Sequence, residues 1–114
     1  MFWRGANTGT MPSLEWATAE KIRMFQRSRL VAWGRAKNST LYDFGFASAE
    51  LQGQPYGDVP LELNGGSLSE RVTPDSFYRY KYLLVIDGNA QSGRTFWYLC
   101  SSSLTFLVDG MSEW

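Results

Sequence analysis

Histidine is absent from this 114-residue sequence, and cysteine occurs once, at position 100. Without histidine the chain cannot build the Ser-His or Cys-His pairs of common nucleophilic enzymes, and it lacks the commonest metal ligand. A single cysteine excludes a disulfide within the chain. Because Cys100 stands in an apolar segment, we expect it to fill the core. The sequence therefore indicates neither a histidine-based active site nor a metal centre.

Excess charge of one sign and long apolar runs are also absent. Eleven basic residues balance eleven acidic ones, so no net positive field favours nucleic acid or an anionic membrane. No apolar run approaches the ~20 residues of a membrane-spanning helix, and the opening MFWRGANTGT lacks the apolar core of a signal peptide. Hydrophobic residues at 44% indicate a globular chain, and its length suits one small domain with a single core.

Hydrophobic periodicity in the first half predicts a strand, a helix and a second strand. The first strand ends near Gly5, the helix runs from Glu15 to Trp33, and a short strand covers residues 39–47. Arg23 and Arg27 fall on the polar side of this helix, where we expect a solvated basic face.

The second half begins with residues 48–71, which we interpret as an irregular loop, followed by a helical turn near Pro74–Tyr78. Two apolar runs, Tyr82–Asp87 and Leu104–Val108, predict buried, neighbouring parallel strands joined by a helix over residues 93–101. The order of elements predicts an α/β fold, a layered parallel sheet with right-handed crossovers.

Polar residues and glycines follow the first of these apolar runs in the turn DGNAQSGR. Asp87 orders the turn, Gly88 permits close approach of a backbone or ligand, and Ser92 is placed to cap the next helix. Arg94 adds a planar fork of donors suited to phosphate oxygens. The turn fits a diphosphate at the carboxyl edge of the sheet, where α/β proteins bind ligands. A capped helix with a surface arginine explains the same residues equally well.

The stretch WRGANTGT, between the first strand and the first helix, has a similar composition. Arg4 and Gly5 should face the same edge of the sheet as Arg94. Two arginines beside two glycine turns indicate an anion site more strongly than either turn alone. Neither turn matches the phosphate-binding loop that carries Gly-Lys-Ser or Gly-Lys-Thr, nor the glycine pattern of dinucleotide-binding folds.

The segments FWRGANTG, FQRSRL and YKYLLVIDGNAQSGRTFWYLCSSSLTFLVDGMSEW, in this order, resemble the capsule-associated-protein family of glycosyltransferases. That family includes fungal capsule-type xylosyltransferases and animal protein O-glucosyltransferases. The similarity extends over almost the whole chain and is most specific in the last segment. It implies that residues 1–114 are a single partial domain, most of the nucleotide-binding half of a two-domain GT-B enzyme with a Rossmann-like sheet.

The resemblance also implies an activity, the transfer of glucose or xylose from a UDP-sugar to a hydroxyl of a protein or glycan, with inversion and without a bound metal or cofactor. Inverting transfer needs a carboxylate base, and in this family that base belongs to an upstream domain outside the chain, so we expect no catalytic residue here and no turnover by this fragment alone. The implied location is the lumen of the Golgi or endoplasmic reticulum, with membrane attachment only through a segment outside the chain.

The site residues implied by the resemblance bind the nucleotide sugar. Arg94 would hold the diphosphate, with Asp87, Gly88 and Ser92 of the same turn beside it. Arg4 and Gly5 would shape the wall of the donor site, and Glu113 would lie near the ribose or the sugar. A different class of function stays open: a non-catalytic module that binds nucleotide or carbohydrate, or a degenerate gene copy. A half-enzyme should expose apolar surface, and we expect this at Phe2, Trp3, Trp16 and Trp114.

Overall fold

The computed structural model describes residues 1–8, 18–48, 58–88 and 92–108. Within them, four strands form one parallel sheet in the order β2-β1-β3-β4, namely β1 (Phe2–Ala6), β2 (Asp43–Ser48), β3 (Tyr82–Val85) and β4 (Leu104–Leu107). The helices are α1 (Ala19–Met24), α2 (Gln26–Ala36), α3 (Asp58–Leu63), α4 (Pro74–Phe77) and α5 (Arg94–Leu99). The predicted α/β class with a parallel sheet and flanking helices is confirmed.

The two faces of the sheet are covered by different helices. On one face Val31 of α2 packs with Trp3, Phe44, Phe46, Leu84 and Ile86. On the other face Tyr98 of α5 packs with Phe2, Phe77, Leu83 and Val85. The chain goes from β1 outward to β2 and then returns to the opposite side of β1 for β3 and β4. The strand order therefore reverses between β1 and β3.

Strands β3 and β4 are parallel neighbours joined by α5, as the two apolar runs predict. In β3, Leu83, Leu84 and Val85 are all buried, which confirms a strand covered on both faces. The prediction that β4 is buried is wrong. Leu104, Phe106 and Leu107 are 57%, 41% and 50% exposed, because β4 lies at the edge of the described sheet.

The predicted helix 15–33 is in fact two helices separated by Phe25, whose ψ of 143° is extended, and α2 continues through Gly34 to Ala36. The helices pack against different partners: Ile22 of α1 contacts Val59 of α3, whereas α2 lies on the sheet. A straight helix would not reach both, so the direction changes at Phe25. Residues 15–17, the predicted first turn, lie outside the described residues.

The predicted loop 48–71 contains a helix, α3, and a turn that covers the outer edge of β2; residues 49–57 of this loop lie outside the described residues. In the turn, Asn64 Oδ1 accepts from the Phe46 amide at 2.8 Å, and the Ser69 amide donates to the Phe46 carbonyl at 2.8 Å. Gly65 and Gly66, with φ of 84° and 94°, form the tight return that permits this. These bonds satisfy backbone groups that an edge strand would otherwise expose.

Exposure also differs from prediction at several side chains. Cys100 follows α5 and is exposed, so it does not fill the core. Phe2 and Trp3 are buried at 0% and 1% exposure, and Trp16 and Trp114 lie outside the described residues. The helical turn near Pro74–Tyr78 is confirmed as α4. Among the described residues, no helix has the length and apolar character needed to cross a membrane.

Candidate functional site

A cavity of about 400 Å³ opens beside the carboxyl ends of β1 and β2. Its most distinctive feature is a set of arginines from four different segments: Arg4, Arg27, Arg71 and Arg94. The other lining residues are small, polar or apolar: Gly5, Ala6, Thr8, Ala47, Ser48, Val72 and Phe77. Among the described residues that line it there is no carboxylate, so this lining is cationic although the whole chain is neutral.

Three of the predicted site residues, Arg4, Gly5 and Arg94, meet at this cavity. Asp87, Gly88 and Ser92 do not line it and instead organise the neighbouring turn. Glu113 lies outside the described residues. The fold thus brings Arg4 and Arg94 together, as predicted. The turn after Asp87 was predicted to contact the ligand, but its described residues contact the protein itself.

Next to the cavity, β1 and β3 leave a crevice at the point where the strand order reverses. The two strands share a single registered pair, Phe2 with Leu83. Beyond it, the Arg27 side chain lies between their carboxyl ends and binds both strands: Nη1 donates to the Ala6 carbonyl at 3.1 Å and Nη2 donates to the Ile86 carbonyl at 3.0 Å. The crevice that binds ligands in open α/β sheets is here filled by Arg27.

Arg27 is 7% exposed, so its expected place on a solvated helix face is wrong. Its Nε also donates to the Asp87 carbonyl at 3.1 Å, and Nη1 donates to Thr8 Oγ1 at 2.5 Å. The guanidinium lies 5.6 Å from the centre of the Trp3 ring. These contacts replace the hydrogen bonds to water that the Arg27 guanidinium loses when it is buried.

Burial and a neighbouring positive charge both lower the pKa of Arg27. Burial, and then the neighbouring charge of Arg94, lower the pKa of Arg27 from 12.5 to about 10, while Asp87 acts in the opposite direction. The charges of Arg94 and Arg27 therefore repel each other, and the Asp87 carboxylate offsets part of this effect on Arg27. An anion bound in the cavity would reduce this repulsion.

Gly88 leaves room for the Arg27 side chain, and Asp87 binds the backbone just before α5. A β-carbon at position 88 would stand 2.8 Å from Arg27 Cζ and would overlap Thr8 Oγ1. The group that approaches this glycine so closely is therefore a protein side chain. Asp87 Oδ1 accepts from the Ser92 amide at 3.2 Å, which fits the expected role of Asp87 in ordering the turn.

Arg94 spans from the start of α5 to β1. Its Nη1 donates to the Arg4 carbonyl. Gly5 makes this possible, because a β-carbon there would lie 3.2 Å from Arg94 Nη1 and 2.6 Å from Trp3 Cζ2. The expected hydroxyl cap by Ser92 is wrong: Gly93 is the N-cap residue, and the Ser92 carbonyl accepts from the Thr95 amide at 3.0 Å. Helix α5 has only six residues, so we assign no anion site to its N-terminus. The positive charge of the site comes from the arginine side chains.

Arg4 is held in an ion pair with Asp43 at the start of β2. Its Nη1 also donates to the Asp43 carbonyl at 3.0 Å, and the Tyr80 hydroxyl donates to Asp43 Oδ2 at 3.1 Å. The Arg4 guanidinium lies 5.0 Å from the centre of the Phe2 ring. Arg4 thus forms a wall of the cavity with its charge compensated by Asp43.

Arg27, Arg71 and Thr8 line the cavity, although the sequence did not predict them as site residues. A signal for Arg27 exists in the sequence: Arg27, Val31 and Gly34 share one stripe at the helical spacing, and all three are buried. Arg71 precedes α4 in a stretch without periodicity, which gives no such signal.

Comparison of the chain with models of known protein families, with curated proteins and with solved structures found no significant match. Within the described residues, no group of three or more histidine, cysteine, aspartate or glutamate side chains is placed to hold a metal ion. The described residues thus form a cationic cavity, whose chemistry follows from the arginines that line it.

Proposed function

We propose that this chain binds the diphosphate of a UDP-sugar in the four-arginine cavity, as the nucleotide-binding half of an inverting GT-B glycosyltransferase. The enzyme would transfer glucose or xylose to a hydroxyl of a protein or glycan. The observation that carries the proposal is the convergence of four guanidiniums on one cavity at the carboxyl edge of a parallel sheet, with no carboxylate among the lining residues that the structure describes. The choice of a UDP-sugar as the ligand rests on the resemblance of the sequence segments to the capsule-associated-protein family.

The cavity is suited to such a ligand in size and in chemistry. Its volume of about 400 Å³ falls in the range of small-molecule sites, roughly 300–1,000 Å³. Guanidinium groups match phosphate oxygens in pairs of parallel hydrogen bonds. Uncharged lining residues such as Gly5 and Ala47 keep the cavity open around these cations.

The same arginines would act on the leaving group during transfer. When the bond between the sugar and the diphosphate breaks, negative charge develops on the departing UDP. Fixed cations at that position stabilise this charge more in the transition state than in the bound substrate, and so they accelerate the step. The base that takes the proton of the acceptor would come from outside this chain, in keeping with the expectation that no catalytic residue lies within it.

Calorimetric titration of UDP into the chain tests the proposal. Arg94→Ala removes a charged contact worth ~1.5–3 kcal/mol, which corresponds to roughly ten- to a hundred-fold weaker binding. Arg94→Lys should restore only part of the affinity, because an ammonium lacks the planar fork. The matched control is Arg29→Ala, an exposed residue of α2 outside the cavity lining.

A melting curve on each sample separates binding from folding, because Arg94 also donates to the Arg4 carbonyl. Unchanged UDP affinity in a folded Arg94→Ala variant would contradict the assignment of the diphosphate to this cavity. Titration of the wild-type chain with free glucose and xylose oligosaccharides addresses the carbohydrate-binding alternative. Binding of these sugars without binding of UDP would favour that alternative.

A further inference from the structure

The four arginines of the cavity differ in how far the protein already uses their donors. Arg27 makes four hydrogen bonds within the protein, to three carbonyls and to Thr8 Oγ1. A guanidinium has five N–H groups, so little of Arg27 is left for a ligand. Arg4 has its charge compensated by Asp43 and donates to two carbonyls as well.

The other two arginines retain most of their donors. Arg94 donates to the Arg4 carbonyl, and its guanidinium also lies beside the buried Tyr98 hydroxyl. Arg71 makes no hydrogen bond, ion pair or ring contact in the part of the chain that the structure describes, and its side chain is exposed. Both line the cavity, so they are the cations with free capacity there.

The backbone of Arg71 is nevertheless anchored. The next residue, Val72, packs against the cluster of Phe2, Phe77, Leu83, Val85 and Tyr98. The exposed Arg71 side chain therefore projects from an anchored backbone at the cavity, where it is available to a ligand that carries negative charge.

We infer that Arg71 and Arg94 are the residues that bind the ligand's phosphates, while Arg4 and Arg27 build the walls that hold them in place. This inference rests on the proposed function, and it specifies which residues bind the phosphate groups and how many phosphate groups the site prefers. Within the described residues neither guanidinium has an ion-pair partner, and two such groups match the two phosphate groups of a nucleoside diphosphate. A nucleoside monophosphate offers one phosphate group for the same two cations. The site therefore selects a diphosphate over a monophosphate, and Arg71 is a determinant of that selectivity.

A comparison of UDP and UMP in the complete chain tests this selectivity by calorimetry at fixed low salt. We expect the wild type to bind UDP at least about ten-fold more tightly than UMP, as one additional charged contact of ~1.4 kcal/mol or more predicts. Arg71→Gln should lose most of this difference, Arg71→Lys should recover part of it, and Arg79→Gln, an exposed neighbour outside the cavity lining, should retain it. The melting temperature of Arg71→Gln should equal that of the wild type, because the side chain makes no hydrogen bond, ion pair or ring contact with the described residues.

Each outcome separates the two proposals. UDP binding that Arg71→Gln leaves unchanged would overturn the role of Arg71 and leave the proposed function in place. If the wild type binds inorganic pyrophosphate but not UDP, and Arg71→Gln weakens that binding, the sugar-nucleotide function is wrong and the phosphate-binding pair stands. Binding of neither compound contradicts both. A lower melting temperature in Arg71→Gln and Arg71→Lys alike, with the preference for UDP retained, would assign Arg71 to folding.

Discussion

The guanidinium of Arg27 lies so close to Gly88 that a β-carbon at position 88 would stand 2.8 Å from Arg27 Cζ. This contact explains why a glycine follows Asp87 at the end of the buried strand. Gly5 has the same relation to Arg94, whose Nη1 would lie 3.2 Å from an added β-carbon. The glycines at this edge of the sheet thus make room for arginine side chains, and these position the cavity.

Gly88→Ala should therefore destabilise the chain. The added methyl group would have to displace Thr8 or Arg27, and overpacking of this kind costs about 1–3 kcal/mol of the free energy of unfolding. Urea unfolding followed by circular dichroism measures this loss. Gly93→Ala is the matched control, because a β-carbon at Gly93 meets nothing within 4 Å and its φ of −60° suits alanine. Equal stability of the two variants would contradict the tight insertion of Arg27.

Tyr98→Phe should cost little or nothing at neutral pH and should protect the fold in alkali. The Tyr98 hydroxyl is buried and lacks a hydrogen-bond partner of good geometry among the described residues. Burial raises the pKa of Tyr98 above 10.0, against an opposing effect of Arg94. A raised pKa means that Tyr98 contributes stability below pH ~10 that is lost as the pH rises through the folded-state value. Unfolding free energies at pH 7 and pH 11 measure both effects.

Tyr80→Phe provides the comparison for this experiment. The Tyr80 hydroxyl donates to Asp43 Oδ2, so its removal should cost ~0.5–1.5 kcal/mol at pH 7. Burial, followed by the charge of Asp43, also raises the pKa of Tyr80, so both variants should lose less stability between pH 7 and pH 11 than the wild type. A Tyr98→Phe variant that loses more than Tyr80→Phe at pH 7 would show that the Tyr98 hydroxyl is satisfied.

Phe106→Lys should reduce self-association of the chain. Strand β4 is an edge of the described sheet, Phe106 is 41% exposed, and residues 95–108 contain no charged side chain. Exposed, uncharged edge strands pair with one another, and a lysine on the edge opposes such pairing. Sedimentation velocity over a range of concentrations measures the change. Leu41→Lys, at a turn residue 68% exposed, is the control; a wild type that stays monomeric at every concentration would contradict the prediction.

The sequence predicted those features that depend on local pattern. The run YKYLLVID indicated the buried strand β3, and the turn residues after it indicated the start of α5. The break at Phe25 has no local signal, since neither proline nor glycine stands there, and it follows from the packing of α1 and α2 against different partners. The burial of Arg27 was missed because its carbonyl partners lie about 20 and 60 positions away in the chain, and helical periodicity alone does not reveal such partners.

In the candidate site, too, some residues could be predicted from local sequence pattern and others depend on tertiary contacts. Arg4, Gly5 and Arg94 could be assigned to one edge because the carboxyl ends of parallel strands meet there. Arg71 could not be assigned, because its segment has no regular structure and the packing of its neighbour Val72 against the core is a tertiary contact that local pattern does not reveal. The exposure of β4 was also beyond local pattern, since an apolar run does not show whether the strand lies inside a sheet or at its edge.

The single registered pair between β1 and β3 makes this border a seam between two strand pairs, β2–β1 and β3–β4. Arg4 belongs to the first pair, and Arg94 begins the helix that joins the strands of the second. The cavity is lined by residues of the first pair and by Arg94. A ligand bound between them must be released before the seam can open, so its binding free energy adds to the work of separating the pairs. Slower amide exchange in β1 and β3 than in the outer strands, upon addition of the ligand, is the signature of that coupling.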